Sequence, residues 1–219
     1  MNKLIRKIAV GVAGILLIFG VKKINISAQT LPSHYPVPEQ TRQLIVVRPG
    51  KKGRASFGYF EKNSGDDQWK KKISCSAWIG SRGLGKQKEG DKKTPTGFYP
   101  LGRAFGICRN PGTKMRYTRV KQRHYWCSDS DAACYNQMIV QGKNGHRCQG
   151  EHLIRYKGAY DYAVAIGYNP KGKPGKGSAV FLHCSTGNPT AGCVAIPKKQ
   201  MKKVLKRLRP EKKPGILLY

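Results

Sequence analysis

Two side chains in FLHCSTGNPTAGCVAIP, residues 181–197, have the types and spacing for nucleophilic chemistry: His183 and Cys193. An ordinary cysteine thiol, with a pKa of about 8.5, is mostly protonated at neutral pH, so a nucleophilic cysteine needs a neighbouring base or cation. His183 stands where it would serve Cys193 in that way. Gly192 lets the backbone come close to a substrate carbonyl, and the amides around Gly192 and Cys193 would line an oxyanion site. A structural reading stands beside this one. In a chain of seven cysteines, a given cysteine is more often disulfide-bonded or buried than catalytic, and a lone histidine is usually a satisfied structural group.

The surrounding pattern says which elements would hold the pair. SAVFLH at residues 178–183 is an apolar run of strand formers that ends on the histidine, as a buried strand does at its mouth. Gly187, Asn188 and Pro189 then supply turn chemistry that loops the chain back towards Cys193. Pro197 suits a first helical position, and Met201, Val204, Leu205 and Leu208 share one face of a helix over residues 198–207. Strands are also expected at residues 44–48, 56–61, 69–80, 162–168 and 215–219, separated by Gly and Pro turns, with a further turn of helix near residues 136–140. A mostly β architecture follows. The GDKKTPTG loop from Gly90 reads equally as a border of the substrate cleft or as a turn needing Gly and Pro geometry.

PTAGCVAIPKKQM, with FLH upstream, GDKKTPTGFYPLGRAFG at residues 90–106 and EHLIRYKGAYDYAVAIGYN at residues 151–169, resembles the YkuD-type L,D-transpeptidase family, in its branch carrying T-A-G-C. The resemblance spans most of residues 42–219 and implies a two-sheet mixed β-sandwich with a short helix after the cysteine. It also implies that Cys193 is the acyl-accepting nucleophile, His183 the proton-transferring histidine and Gly192 the glycine of the motif. The main-chain carbonyl of Cys184 would hold the histidine tautomer, and Thr190 would lie on the substrate side. Ala191 and Ala195 depart from the commoner motif, which carries a histidine and an asparagine there. Those departures leave nucleophile and base intact and bear on substrate choice and on transpeptidation as against hydrolysis. The implied activity is acyl transfer on peptidoglycan stem peptides, with no cofactor. The alternatives are an L,D-carboxypeptidase, another wall cysteine peptidase or sortase-like enzyme, and a non-catalytic basic wall-binding protein in which Cys193 is disulfide-bonded.

The amino terminus and the charge agree with an extracytoplasmic protein, secreted to the cell wall or periplasm. A basic start, an apolar run over residues 8–21 and Ile26-Ser27-Ala28 read as a signal peptide over residues 1–28, or as a membrane anchor if uncleaved. Residues 29–40, with three prolines, read as a linker, and residues 41–219 as one catalytic domain. The chain carries 42 Lys plus Arg against 11 Asp plus Glu. Such a field attracts anions, and in an exported protein anionic wall polymers are the economical partner. Nucleic acid is not expected, since no helix-turn-helix, zinc-finger or aromatic RNA-binding signature is present. Nothing in the sequence sets an oligomeric state.

Seven cysteines leave an odd one, and a free Cys193 would permit three disulfides, of which Cys127 with Cys134 is the one that can be suggested. Cys184, beside His183 on a strand, points to the opposite face and reads as structural. His124, Cys127, Cys134, His146, Cys148 and His152 are dense, yet their spacing matches no common zinc arrangement, so no metal is expected. Asp66 with Asp67 and Asp129 with Asp131 lie in turn-like segments and give no support to glycosidase chemistry.

Overall fold

The computed structural model describes residues 36–219 apart from 64, 66, 67 and 143–147. The signal-peptide reading, most of the linker, the Asp66–Asp67 pair and His146 lie outside the described residues. The first strands are β1 (Gln43–Pro49), β2 (Arg54–Glu61), β3 (Lys70–Trp78), β4 (Gly97–Gly106), β5 (Tyr117–Arg119) and β6 (His124–Cys127). They are followed by β7 (Met138–Val140), β8 (Gly150–His152), β9 (Ala163–Ile166), β10 (Phe181–Cys184), β11 (Val194–Ile196), the helix α1 (Lys198–Arg207) and β12 (Gly215–Leu218).

β1 is apolar on both faces because both are covered. Ile45 and Val47 enter the main core, while Leu44 and Val46 pack outside with Phe60 and Leu217. β1 and β2 pair antiparallel through a tight turn in which Gly53 adopts φ 71°. A Cβ at Gly53 would lie 2.8 Å from the Pro189 ring, so this turn needs glycine both for its backbone and to seat the loop that precedes Cys193.

The main sheet runs β12-β1-β2-β3-β11-β10-β9-β4-β5, and β12 also pairs with β4. It therefore closes on itself. The expected mostly β fold holds, but the strands form one closed, barrel-like sheet rather than two facing sheets. The physical reason lies in β12, whose GILL is fully buried and hydrogen-bonds parallel to β1 on one side and antiparallel to β4 on the other. With both edges of the carboxy-terminal strand used, no open edge remains there.

A second sheet, β7-β6-β8, stands apart from the main one. It packs through Trp126 onto Phe105, Tyr160 and Phe181, whose rings meet at 4.7–6.0 Å, mostly edge to face. That aromatic cluster also contains Cys193. The segment expected as a turn of helix near residues 136–140 is in part strand β7. α1 begins after Pro197, buries Met201, Val204 and Leu205 against the sheet and ends on Lys206 and Arg207, cations that suit the negative end of a helix. All seven cysteines are free thiols, so the suggested bridge between Cys127 and Cys134 is not formed. Their sulfurs do approach each other, together with that of Cys148.

Candidate active site

β10 divides its side chains between two environments. Leu182 and Cys184 enter the main core, whereas Phe181 faces the aromatic cluster and His183 stands edge-on to Tyr160 at 5.4 Å. Cys184 is thus structural, as its strand position predicts, and its thiol donates to the Tyr162 carbonyl at 3.5 Å. Its own carbonyl lies 2.9 Å from His183 Nδ1. A carbonyl only accepts, so Nδ1 carries the proton and Nε2 is left with the lone pair. β11 runs parallel beside β10 with His183 opposite Ala195, which sets Cys193 at the entry to β11 on the face of Phe181 and His183.

Cys193 is 8% exposed. Its Sγ donates to the Ala179 carbonyl at 3.2 Å and accepts the Phe181 amide at 3.3 Å. Ala179 has φ 52°, a left-handed conformation that costs a non-glycine residue about 1 kcal/mol or more. The Asn136 carboxamide holds it there, accepting the Ala179 amide at 3.0 Å and the Trp126 indole at 2.9 Å.

The loop before the cysteine is braced from several directions. Thr190 Oγ1 donates to the Cys193 carbonyl at 2.6 Å and accepts the Gly192 amide at 3.1 Å. The Thr190 hydroxyl proton is therefore committed to the loop. The Gly192 amide, expected at an oxyanion site, is likewise engaged. Gly192 adopts φ 150°, and a Cβ there would lie 3.0 Å from the Lys93 carbonyl, so only glycine fits between the loop and its neighbour. That neighbour is the GDKKTPTG segment. Thr94 Oγ1 donates to the Cys193 carbonyl at 3.3 Å, and Gly90 lines the cleft. The segment borders the site and is also a tight turn.

A cavity of about 240 Å³ opens onto Cys193 and is walled by Lys86, Glu89, Ser128, Glu151 and Ser178. Lys86 is buried and pairs with Asp91 at 3.1 Å. Burial alone raises the Asp91 carboxyl, but the amides of Gln87, Lys93 and Lys88 and the Lys86 ammonium bring it down to about 2. Burial raises Glu151, while the Tyr160 hydroxyl, donating at 2.5 Å, opposes that rise. Burial, and then Glu151, push the Cys193 thiol up to about 12 against the Phe181 amide and Lys86. Burial also lowers the His183 imidazole below its usual value, although the Cys184 carbonyl favours its charged form. The resting pair is a neutral thiol and a neutral imidazole, not the standing thiolate that the sequence alone suggests.

The Lys86–Asp91 pair, Glu89, Glu151 and Tyr160 are parts of the site that motif reading passed over. One signal was available. With only 11 acids in the chain, Asp91 and Glu151 inside otherwise basic or apolar blocks invite the question of what holds them. Of the dense His and Cys group, His124 and His152 bond to the Lys121 amide and the Gln122 carbonyl, and among the described residues Cys127, Cys134 and Cys148 come together.

A lone-pair imidazole and a free thiol stand on one face of a closed β sheet, the thiol beside a cavity with charged walls. The family model of the L,D-transpeptidase catalytic domain matches residues 42–215, and the chain belongs to that family. Members of that family are L,D-transpeptidases, transferases that act on peptidoglycan. No individual curated protein matches the chain.

Proposed function

We propose that this protein is an exported L,D-transpeptidase that works through an acyl-enzyme on Cys193. The observation that carries the reading is the Cys193 thiol, free and held between Ala179 and Phe181 at the cavity, on the same face as a histidine whose Nδ1 is tied to a carbonyl. A stem peptide entering the cavity displaces water and brings its scissile carbonyl to Sγ. The thiol proton passes to His183 Nε2, the sulfur–carbon bond forms, and the carbonyl oxygen becomes an oxyanion. With the Gly192 amide committed to Thr190, the Cys193 amide is the oxyanion donor of that pair. The imidazolium then protonates the leaving amine as the carbon–nitrogen bond breaks, releasing a terminal D-residue and leaving a thioester. An amine of a second stem attacks the thioester, and His183 takes its proton and returns it to sulfur.

The free thiol favours the enzyme over the wall-binding reading, which needs Cys193 in a disulfide. Export rests on the signal-peptide pattern, and a mature protein beginning at Gln29 is its expected product. Anionic wall polymers remain the partner for the basic surface, through a groove of about 500 Å³ lined by Lys72, Lys203, Lys206 and Arg207.

The test is mass spectrometry of tetrapeptide muropeptides incubated with the enzyme and with Cys193→Ala. Cross-linked dimers, or exchange of the terminal D-residue, are expected from the enzyme and not from the variant. Turnover retained by Cys193→Ala overturns the assignment, and shortened peptides alone make the protein a carboxypeptidase or endopeptidase.

A further inference from the structure

Cys127 closes β6, Cys134 lies in the loop after it, and Cys148 lies two residues before β8, yet their three sulfurs all lie within 4.8 Å of one another. The backbone, not the thiols, brings them there. Cys127 donates its amide to the Gln137 carbonyl and accepts from the Asn136 amide, Gln137 donates to the Cys134 carbonyl, and Ser128 donates to the Gln149 carbonyl. The segments carrying all three cysteines are thus fixed by main-chain hydrogen bonds before any sulfur chemistry occurs. A disulfide would use two of the thiols and strand the third against it. A tetrahedral zinc ion with zinc–sulfur bonds of about 2.3 Å separates its sulfurs by about 3.8 Å, so three thiols within 4.8 Å close on such an ion with small side-chain shifts.

We propose that Cys127, Cys134 and Cys148 form a tris-thiolate site for a borderline-soft, tetrahedral metal ion of the zinc type, with solvent completing the coordination. Cys134 and Cys148 are partly exposed, so both the ion and a water have a route to it. Motif reading passes over this site because the spacing fits no common zinc pattern. Closeness here comes from pairing of β8 against β6 and from the turn back to Gln137.

The position gives the site a consequence. Ser128, next to Cys127, lines the catalytic cavity. In the same loop, Tyr135 hydroxyl donates to Glu89 at 2.7 Å and accepts the Gly177 amide at 3.1 Å, while Asn136 holds Ala179. An ion on the three thiols would pin one wall of the cleft to the small sheet. It would take no part in acyl transfer, so its binding stands or falls independently of the transpeptidase reading.

The experiment takes the full-length chain, purified under reducing conditions and stripped of metal, and titrates it with zinc chloride and with cadmium chloride. One ion per chain is expected by elemental analysis after desalting, with the ultraviolet thiolate-to-cadmium band, in the parent protein and equally in Cys193→Ala. Loss of a direct ligand should weaken binding by no less than the roughly 10–100-fold that follows loss of a ligand's supporting hydrogen bond. Cys127→Ser, Cys134→Ser and Cys148→Ser should each show that loss, and added zinc should raise the melting temperature of the parent but not of the variants. Should a variant fail to fold, the parent titration alone decides. Binding well below one ion per chain, binding unchanged in all three variants, or a reduced parent that stays metal-free while its native form shows a Cys127–Cys134 disulfide by peptide mapping would each overturn the proposal.

Discussion

With its pKa pushed up to about 12, the Cys193 thiol is ionised at pH 7 in about one molecule in 10⁵. His183, lowered by burial, is neutral at the same pH, and so neither partner pre-activates the other. The proton must move when a substrate fills the cavity and replaces the Ala179 carbonyl as the thiol's neighbour. Alkylation of resting Cys193 by iodoacetamide, followed by peptide mass spectrometry, should therefore rise about tenfold per pH unit through pH 9 without a plateau. A plateau by pH 8 would show a thiolate already stabilised at rest. His183 adds an acid limit of its own. Its folded value lies below its unfolded one, so its contribution to stability is complete above about pH 6.5 and is lost as pH falls through the folded value. Turnover, which needs Nε2 unprotonated, should fall over the same acid range in a pH–rate profile. At this scale the sequence shows Cys193, His183 and the Cys184 carbonyl, because a motif preserves order along the chain. It hides Glu151 and Lys86, which reach the cavity from β8 and from the loop before β4, and Tyr160, which bonds to Glu151 from the turn before β9; their roles come from burial rather than from neighbours in sequence.

Between the elements, Asn136 is the joint. Its carboxamide accepts from Trp126 on β6 and from Ala179 ahead of β10, and donates to the carbonyls of Tyr168 and Asn169 at 3.0 and 2.9 Å. Its φ of 60° also suits asparagine better than most side chains. Asn136→Ala leaves two donors and two carbonyls unsatisfied and should cost about 2–3 kcal/mol in urea unfolding. It should lower kcat/KM beyond what stability explains, since Ala179 then loses the bond that holds its carbonyl at the Cys193 thiol. Asn136→Asp is the sharper comparison. A carboxylate keeps both acceptor bonds but turns towards the Tyr168 and Asn169 carbonyls without a donor. The elements differ in how far they could be read in advance. LIVVR, SFGYFE, GILLY and the run ending at His183 announce strands by β-branched and aromatic residues, and α1 falls on the expected residues 198–207. β4 is masked by Pro100 and Gly102, and β5, β6, β7, β8 and β11 have only three or four residues each. Strands so short exist because a partner strand offers hydrogen bonds, a fact that no window of sequence contains.

Across the whole molecule, closure and charge answer to different signals. Closing the sheet depends on which edge β12 finds, and GILL reads as a buried strand without naming β1 and β4 as its neighbours; a two-sheet sandwich satisfies the same pattern of apolar runs. The excess of 42 basic over 11 acidic residues is legible at once, but its concentration is not, since Lys72 on β3 meets Lys203, Lys206 and Arg207 of α1 only after folding. The groove they line is separate from the Cys193 cavity, so retention on a wall polymer and turnover should be separable. Lys203→Glu with Lys206→Glu reverses two charges on the exposed face of α1 without touching its buried Met201, Val204 and Leu205. With each surface charge worth about 0.5–1 kcal/mol, the double variant should bind a polyphosphodiester wall polymer about tenfold or more weakly at low salt. Muropeptide cross-linking in solution should stay at the level of the parent. Raising the salt towards 1 M shortens the screening length to about 3 Å and should bring parent and variant to the same weak binding. A salt-insensitive difference would mean that the groove recognises shape or hydrogen bonds rather than charge, and an unchanged affinity at low salt would move the anionic partner to another part of the basic surface.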